Sequence, residues 1–283
     1  MERQKRVLAV HDISCFGRCS LTVALPIISA VGIECSVIPT AVLSTHTGGF
    51  ENYTFTDLTK DIMPIIDHWK TLDISFDAIY TGYLGSLEQI NHIIKIFDTY
   101  KTEENIALVD PVMADNGKLY TGFDKSFPSE MRKLVSKASA VVPNITEACF
   151  LLEKEYKEGP YSKEYIKELL LGLADLGPNQ VVLTGVFLEK DELGAATYDK
   201  KTKEFGFYAR NEIEGYYHGT GDVFGSALLS ALIKGRSLIN AASVAVDFIV
   251  DSLIRSCIAK TDLKYGVNFE AGLQHLAKEL SRE

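Results

Sequence analysis

The chain has no paired cysteines. Its five, Cys15, Cys19, Cys35, Cys149 and Cys257, are scattered and odd in number, and none forms a Cys-x-x-Cys pair, so neither a disulfide framework nor a zinc site is suggested. Cys15 and Cys19 lie close enough for a metal but have no third ligand in regular spacing, and read as small core or pocket residues. Reduced thiols are expected. The six histidines contain no His-x-x-x-His pair, so a histidine metal site is not expected either. No uninterrupted apolar run is long enough to span a bilayer, and the apolar run after the charged residues 1–6 meets His11 and Asp12 too soon for a signal peptide. A cytoplasmic protein that binds no membrane is the expectation. Positive charge is not in excess: 38 acidic against 29 basic residues leave a net charge of −9, which argues against a general nucleic-acid or anionic-membrane binder. Repeats, low-complexity tracts and Pro/Ser-rich linkers are missing too, so residues 1–283 read as one α/β domain. With 46% hydrophobic and 24% charged residues, that domain should be ordered and globular.

What the chain does contain is a long alternation of short β-rich apolar runs and helical periodicities. A strand at 6–10 runs into the polar turn 11–17, a helix spans 20–31 to Gly32, and a second strand follows at 35–40. Strand, helix, strand is the unit of a parallel sheet. The pattern continues with helix 58–69, strand 78–81, helix 87–100, strand 106–109, helix 130–138 and strand 140–142. A helix opening after Asn144, a charged turn at 154–159, helix 162–176 and strand 180–185 come next. Runs 195–198 and 205–209 read as antiparallel strands because their connections are short and polar. Helices at 239–258 and 269–280 close the chain, and Tyr265-Gly266-Val267-Asn268 between them carries no readable signal.

In such sheets the ligand crevice lies beyond the carboxyl ends of the strands. That places Asp12, the loop 44–50 with His46 and Thr47, the turn 82–86 with Tyr83, and Asp110 in candidate binding positions. Asp110 ends a strand and Asp115 follows in the loop 113–117; two such carboxylates suit an oxygen-preferring cation such as Mg²⁺. Turn formation is the competing reading for both. Glu147 stands in the first turn of a helix, where it either complements the dipole or reaches metal-bound water.

The stretch that organises the rest is Tyr217-His218-Gly219-Thr220-Gly221-Asp222, which runs into an apolar helix ending at Gly235. Two glycines one residue apart allow a tight turn with several amides aimed into one concavity, at a helix N-terminus that favours a phosphate. Asp222 is then a carboxylate beside an anion site. It either caps the helix or accepts a proton from an attacking hydroxyl. Together these parts are what transfer of a nucleotide γ-phosphoryl requires: amide donors, charge neutralisation and a proton acceptor. The chain lacks Gly-x-x-x-x-Gly-Lys-Ser/Thr and the protein-kinase signatures, so a P-loop enzyme and a protein kinase are excluded.

Gly219-Thr220-Gly221-Asp222 resembles the C-terminal signature of the ribokinase-like superfamily. Within it, Ser44-Thr45-His46-Thr47-Gly48, Thr81-Gly82-Tyr83-Leu84-Gly85-Ser86, Asp110-Pro111-Val112-Met113 and Val142-Pro143-Asn144-Ile145-Thr146-Glu147 resemble pyridoxal kinases, in family order and over nearly the whole chain. The resemblance implies a three-layer α/β/α fold without the β-lid of the sugar kinases, since the stretch between Thr40 and Leu58 is too short for one. It also implies a homodimer and ATP-dependent phosphorylation of the 5′-hydroxyl of a vitamin B6 vitamer. In that reading Asp222 is the base, Gly219, Thr220 and Gly221 form the anion hole, and Asp110, Asn144 and Thr184 serve the nucleotide. Asp110, Asp115 and Glu147 serve Mg²⁺, Thr184 faces the triphosphate or a monovalent ion such as K⁺, and Asp12, Thr47, Tyr83 and Tyr120 surround the pyridine ring beside Asp222. Asp12 departs from the Ser of many pyridoxal kinases, so here a carboxylate would meet a pyridine N–H or an amine. A hydroxymethylpyrimidine kinase and a non-catalytic vitamer-binding protein are the alternatives.

Overall fold

The computed structural model describes residues 3–281 apart from Glu214 and Tyr216; the remaining terminal residues, including Met1 and Glu2 of the charged N-terminus, lie outside the described residues. The chain begins with β1 (Arg6–Ser14), α1 (Leu21–Ala30), β2 (Glu34–Leu43), β3 (Phe55–Asp57) and α2 (Thr59–Trp69). Next come β4 (Ala78–Thr81), α3 (Leu87–Tyr100), β5 (Ile106–Val109), the small hairpin β6 (Ala114–Asp115) and β7 (Lys118–Leu119), α4 (Phe127–Lys137) and β8 (Ala140–Val141). The second half holds α5 (Ile145–Leu151), α6 (Lys163–Asp175), β9 (Gln180–Val186), β10 (Glu192–Asp199), β11 (Glu204–Asn211), α7 (Thr220–Ile233), α8 (Leu238–Ile258) and α9 (Leu273–Leu280).

Among the described residues nine strands form one sheet in the order β11-β10-β9-β8-β5-β4-β1-β2-β3. The six from β9 to β2 pair in parallel, and β10, β11 and β3 are antiparallel additions at the two edges. Each parallel strand is apolar on both faces, as a sheet covered by helices on both sides requires. Leu8, Val10, Ile79, Val109, Val181 and Leu183 pack into one core cluster, with buried residues of α2 to α6. The alternating Val7, Ala78, Tyr80, Leu108 and Val182 point the other way, onto α1, α7, α8 and α9. Three layers result.

Several boundaries move. β1 does not stop at Val10 but carries His11 and Asp12 within the sheet to Ser14, because both polar side chains are buried rather than turned to solvent. Its pairing with β2 shifts register between His11 and Ile13, around Asp12. β2 runs on to Leu43, and β3 returns beside it as a three-residue edge strand that the sequence pattern did not reveal. The loop 113–117 is half of a hairpin: Asn116 (φ 49°) and Gly117 (φ 74°) supply the two positive φ values that a two-residue hairpin turn needs. The helix expected over 269–280 opens with a 3-10 turn at Glu270–Gly272 before α9.

Candidate active site

The carboxyl ends of the parallel strands meet the N-terminus of α7. Gly219 precedes that helix in the left-handed region (φ 76°), and a Cβ there would fall 2.0 Å from the carbonyl oxygen of Arg18, so only glycine fits. Val223 N–H bonds back to Gly219 O at 3.1 Å, and among the described residues no side chain caps the helix. The first amides of α7 are therefore open to an anion, with the dipole's positive end behind them.

Asp222 lies in this first turn with its side chain 11% exposed. Its Oδ2 accepts from Ser20 N–H at 2.8 Å and from the Cys19 thiol at 3.3 Å. Oδ1 faces Nδ1 of His11 at 4.0 Å. Burial pushes the carboxyl up to about 6; the Ser20 amide opposes this and the charge of Asp12 adds to it. Such a group is ionised at neutral pH yet basic enough to take a proton from an alcohol in the transition state. His11 itself is fully buried, and burial lowers it to about 3, so it is neutral. Both its ring nitrogens lack a hydrogen-bond partner among the described residues. Tyr80 packs edge-on against it at 4.4 Å between ring centres. Two glycines make room for this pair: a Cβ on Gly82 would come within 2.3 Å of His11 Nδ1, and one on Gly225 within 2.3 Å of the Tyr80 hydroxyl.

Asp110 is buried just after β5, and its Oδ2 lies 3.9 Å from the place a Gly221 Cβ would take. Burial raises its proton affinity, and the negative charges of Glu147 and Asp222 raise it further. Glu147 and Asn144 form a capping box at the start of α5. Glu147 Oε2 accepts from Asn144 N–H at 2.9 Å and Oε1 from Met113 N–H at 3.1 Å, while Asn144 Nδ2 donates to Ala114 O at 2.9 Å. The pair thus pins the backbone leading to Asp115. Burial raises Glu147 to about 7 despite these donors. Thr184, near the end of β9, bridges to Asn144 and donates its amide to Pro143 O at 3.0 Å.

On the substrate side, Asp12 is buried with Oδ1 accepting from Ser20 Oγ–H and Oδ2 from Ser14 Oγ–H at 3.0 Å. Tyr83 is half-buried against Phe123 and feels the charge of Asp12. Thr47 is exposed in the loop between β2 and β3, and Tyr120 is exposed after the hairpin, with its amide on Met113 O. Eight of the predicted residues form one chain of contacts and charge interactions, from Tyr83 through Asp12, Asp222 and Asp110 to Glu147, Asn144, Thr184 and Asp115; Tyr120 joins the loop before Asp115 through its own amide on Met113 O. A separate groove of about 560 Å³ between α6 and β10–β11, lined by Leu170, Ala196 and Phe207 among others, contains none of these carboxylates.

Three features had no counterpart in the sequence reading. His46 donates Nε2–H to Lys264 O (2.7 Å) while Nδ1 accepts from Gly48 N–H (3.1 Å), which fixes one tautomer and ties the Thr47 loop to the C-terminal segment. His218 sits over Gly48, where a Cβ would fall 2.4 Å from its Nδ1, and its ring is 5.1 Å from that of His46. The silent segment around Tyr265 receives Arg18 N–H on Tyr265 O at 3.1 Å and buries Val267, so it clamps the loop before α1. Tyr265 and Phe50 stack there beside Phe16.

For a cation, the available donors are carboxylate oxygens, which suit Mg²⁺. Among the described residues no three His, Cys, Asp or Glu side chains converge as a ready metal cage, and no Lys or Arg pairs with Asp12, Asp110, Glu147 or Asp222. Open helix amides beside a buried acid, at the carboxyl ends of a mostly parallel sheet, are the arrangement of a small-molecule kinase of the ribokinase-like class. The family profile described as phosphomethylpyrimidine kinase matches residues 25–267. A protein of Bacteroides thetaiotaomicron assigned to phosphomethylpyrimidine kinases and crystallised with pyridoxal superposes with a TM-score of 0.92 at 38% identity, covering 97% of this chain and 96% of that one. Pyridoxal kinase from Lactobacillus plantarum superposes with a TM-score of 0.90 at 28% identity over 98% of each chain. Pyridoxal kinase of Arabidopsis thaliana is 28% identical over 82% of this chain and 74% of its own length. The chain belongs to the phosphomethylpyrimidine kinase family.

Proposed function

We propose that this protein transfers the γ-phosphoryl group of ATP to the 5′-hydroxyl of a vitamin B6 vitamer: pyridoxal, pyridoxamine or pyridoxine. The observation that carries the chemistry is Asp222, a buried acid raised to about 6, placed in the first turn of an uncapped helix. The relatives carry the substrate: two are pyridoxal kinases and a third, at 38% identity, holds pyridoxal. In the reaction the vitamer oxygen forms a bond to the γ-phosphorus, its proton passes to Asp222, and the bond from that phosphorus to the β-bridging oxygen breaks to release ADP. The open amides of Gly219, Thr220 and Gly221 receive the charge on the transferring group. Thr47, Tyr83 and Tyr120 are the groups offered to the pyridine ring, and Asn144 and Thr184 those offered to the nucleotide.

A triphosphate entering a site with three buried carboxylates and Asp222 beside them, none paired with a Lys or Arg among the described residues, needs a cation, so Mg²⁺ is part of the proposal. Asp110 and Asp115 would hold it with water and phosphate oxygens, and Glu147, whose two oxygens already take backbone amides, would act through that water. Bound there, Mg²⁺ would neutralise phosphate charge. K⁺ at Thr184, a homodimer, a cytoplasmic location and a single domain over 1–283 rest on the family resemblance and the composition. No described helix is long and apolar enough to cross a membrane. Hydroxymethylpyrimidine is the second acceptor, from the family resemblance; the family's own description names a phosphomethylpyrimidine kinase. A coupled ADP-release assay with the three vitamers, hydroxymethylpyrimidine and ribose, with and without Mg²⁺, tests the reading. Mg²⁺-dependent turnover fastest on a vitamer is expected; turnover fastest on hydroxymethylpyrimidine replaces the substrate, and vitamer binding without ADP release leaves a binding protein.

A further inference from the structure

Ser20 has an unusual backbone. Its φ of 54° and ψ of −129° belong to a region that residues with a Cβ rarely adopt, and it persists only where the surroundings over-determine it. Ser20 is also the residue before α1, a place where a serine hydroxyl normally bonds a helix amide. Here it does not: α1 has no side-chain cap, and the Ser20 carbonyl alone accepts from Val23 and Ala24 N–H, each at 3.0 Å. The hydroxyl turns instead to Oδ1 of Asp12. With the hydroxyl held there, the Ser20 amide aims at Oδ2 of Asp222 at 2.8 Å. Asp12 is only 4% exposed, its other oxygen takes Ser14 Oγ–H, and it lies at the register shift in β1.

We propose that Asp12 is a positioning residue, which holds Ser20 in its strained conformation so that the Ser20 amide orients Asp222, and that it does not pair with the substrate ring. This rests on the reading of Asp222 as the base. The other groups facing Asp222 are His11 on the same strand as Asp12, Cys19 before α1, Tyr80 on β4 and Asp110 after β5. Of these, Cys19 also meets Ser20, as its chain neighbour and through a side-chain hydrogen bond, and the Ser20 backbone bridges to Ile13, but it is a carboxylate oxygen of Asp12 that takes the Ser20 hydroxyl away from the helix amides. Asp12 is a second negative charge near the base, a cost that a structural filler would not require.

The test compares Asp12→Ala, Asp12→Asn, Ser20→Gly and Asp12→Ala/Ser20→Gly in the complete protein. Asp12→Asn keeps an acceptor for the Ser20 hydroxyl without the charge. Ser20→Gly keeps the backbone conformation without needing the anchor. A strained conformation of this kind is held against a roughly tenfold to hundredfold population bias. Asp12→Ala should therefore lower kcat for pyridoxal by about tenfold or more, with KM changed less than about threefold; Asp12→Asn should retain most of kcat. On the Ser20→Gly background Asp12→Ala should add less than about threefold. Amide hydrogen exchange at Ser20, which needs no turnover, should speed by about tenfold in Asp12→Ala and little in Asp12→Asn. Equal losses in both backgrounds, a loss in Asp12→Asn as large as in Asp12→Ala, or unchanged exchange at Ser20 would overturn the proposal. Should Asp12→Ala not fold, Asp12→Asn and the double variant still decide it. A wild-type protein without ADP release would sink the kinase reading, and the exchange measurement would then judge the tether separately.

Discussion

Asp222→Asn should make the protein more stable and less active at once. The carboxyl is raised from 3.8 to about 6 chiefly by burial, so the folded state resists its ionisation. At about 1.4 kcal/mol for each tenfold change in proton affinity, holding that charge in the fold at pH 8 costs about 3 kcal/mol relative to the neutral acid. An asparagine of nearly the same shape is neutral at every pH and still offers Oδ1 to the Ser20 amide. The sign follows from linkage: a group raised in the folded state favours folding below its unfolded value near 4 and loses that advantage as pH rises through about 6. The variant should therefore exceed wild type at pH 8 and converge with it near pH 4. Unfolding entropy of about 2 cal/mol/K per residue over 283 residues converts 3 kcal/mol into a rise in Tm of about 5 °C. Thermal denaturation of both proteins without ligands, at pH 8 and near pH 4, measures it. A variant less stable than wild type at pH 8, or a gain that is the same at both pH values, would refute the reasoning that burial strains this carboxylate.

Two further outcomes follow from the same geometry. The acid limb of kcat/KM should fall about tenfold per pH unit below about pH 6, since Asp222 must be ionised to accept the hydroxyl proton; a pH–rate profile flat down to pH 5 would remove Asp222 as the base. Gly225→Ala should destabilise by about 1–3 kcal/mol in chemical denaturation, because its Cβ would stand 2.3 Å from the buried Tyr80 hydroxyl, and an unchanged denaturation midpoint would show that this core has slack.

Much of this architecture could be read in advance, and the reasons differ by element. β4, α3 and β5 appear with the expected bounds because each has one clear period and a clear stop. The sequence pattern ends β1 at Val10, because a buried His11 and Asp12 look like a turn to any rule that equates polarity with exposure. The hairpin around Asn116-Gly117 had a local signal, the Asn-Gly pair itself, that the reading of 113–117 as a metal-binding loop obscured. β3 had none: its three residues are all exposed, and only pairing with β2 makes them a strand. In the site, the glycine-rich helix start and Asp222 were legible because their chemistry is local. The Asp12–Ser20–Asp222 tether, the neutral His11 and the clamp of Lys264 and Tyr265 on the loops around Phe16 and His46 were not. They join residues as far apart as Arg18 and Tyr265, 247 positions, and one sequence carries no record of such distances.

The central claim is that one carboxylate accepts the proton of the attacking alcohol while the helix amides hold the transferring phosphoryl group. Incubating pyridoxal with ATP and Mg²⁺ and weighing the product by mass spectrometry tests it most directly, with wild type and Asp222→Asn side by side. Wild type should convert pyridoxal to a monophosphate, and Asp222→Asn should do so about 10²–10⁴-fold more slowly while binding ATP as before. An Asp222→Asn protein that forms the monophosphate within tenfold of the wild-type rate would contradict the account.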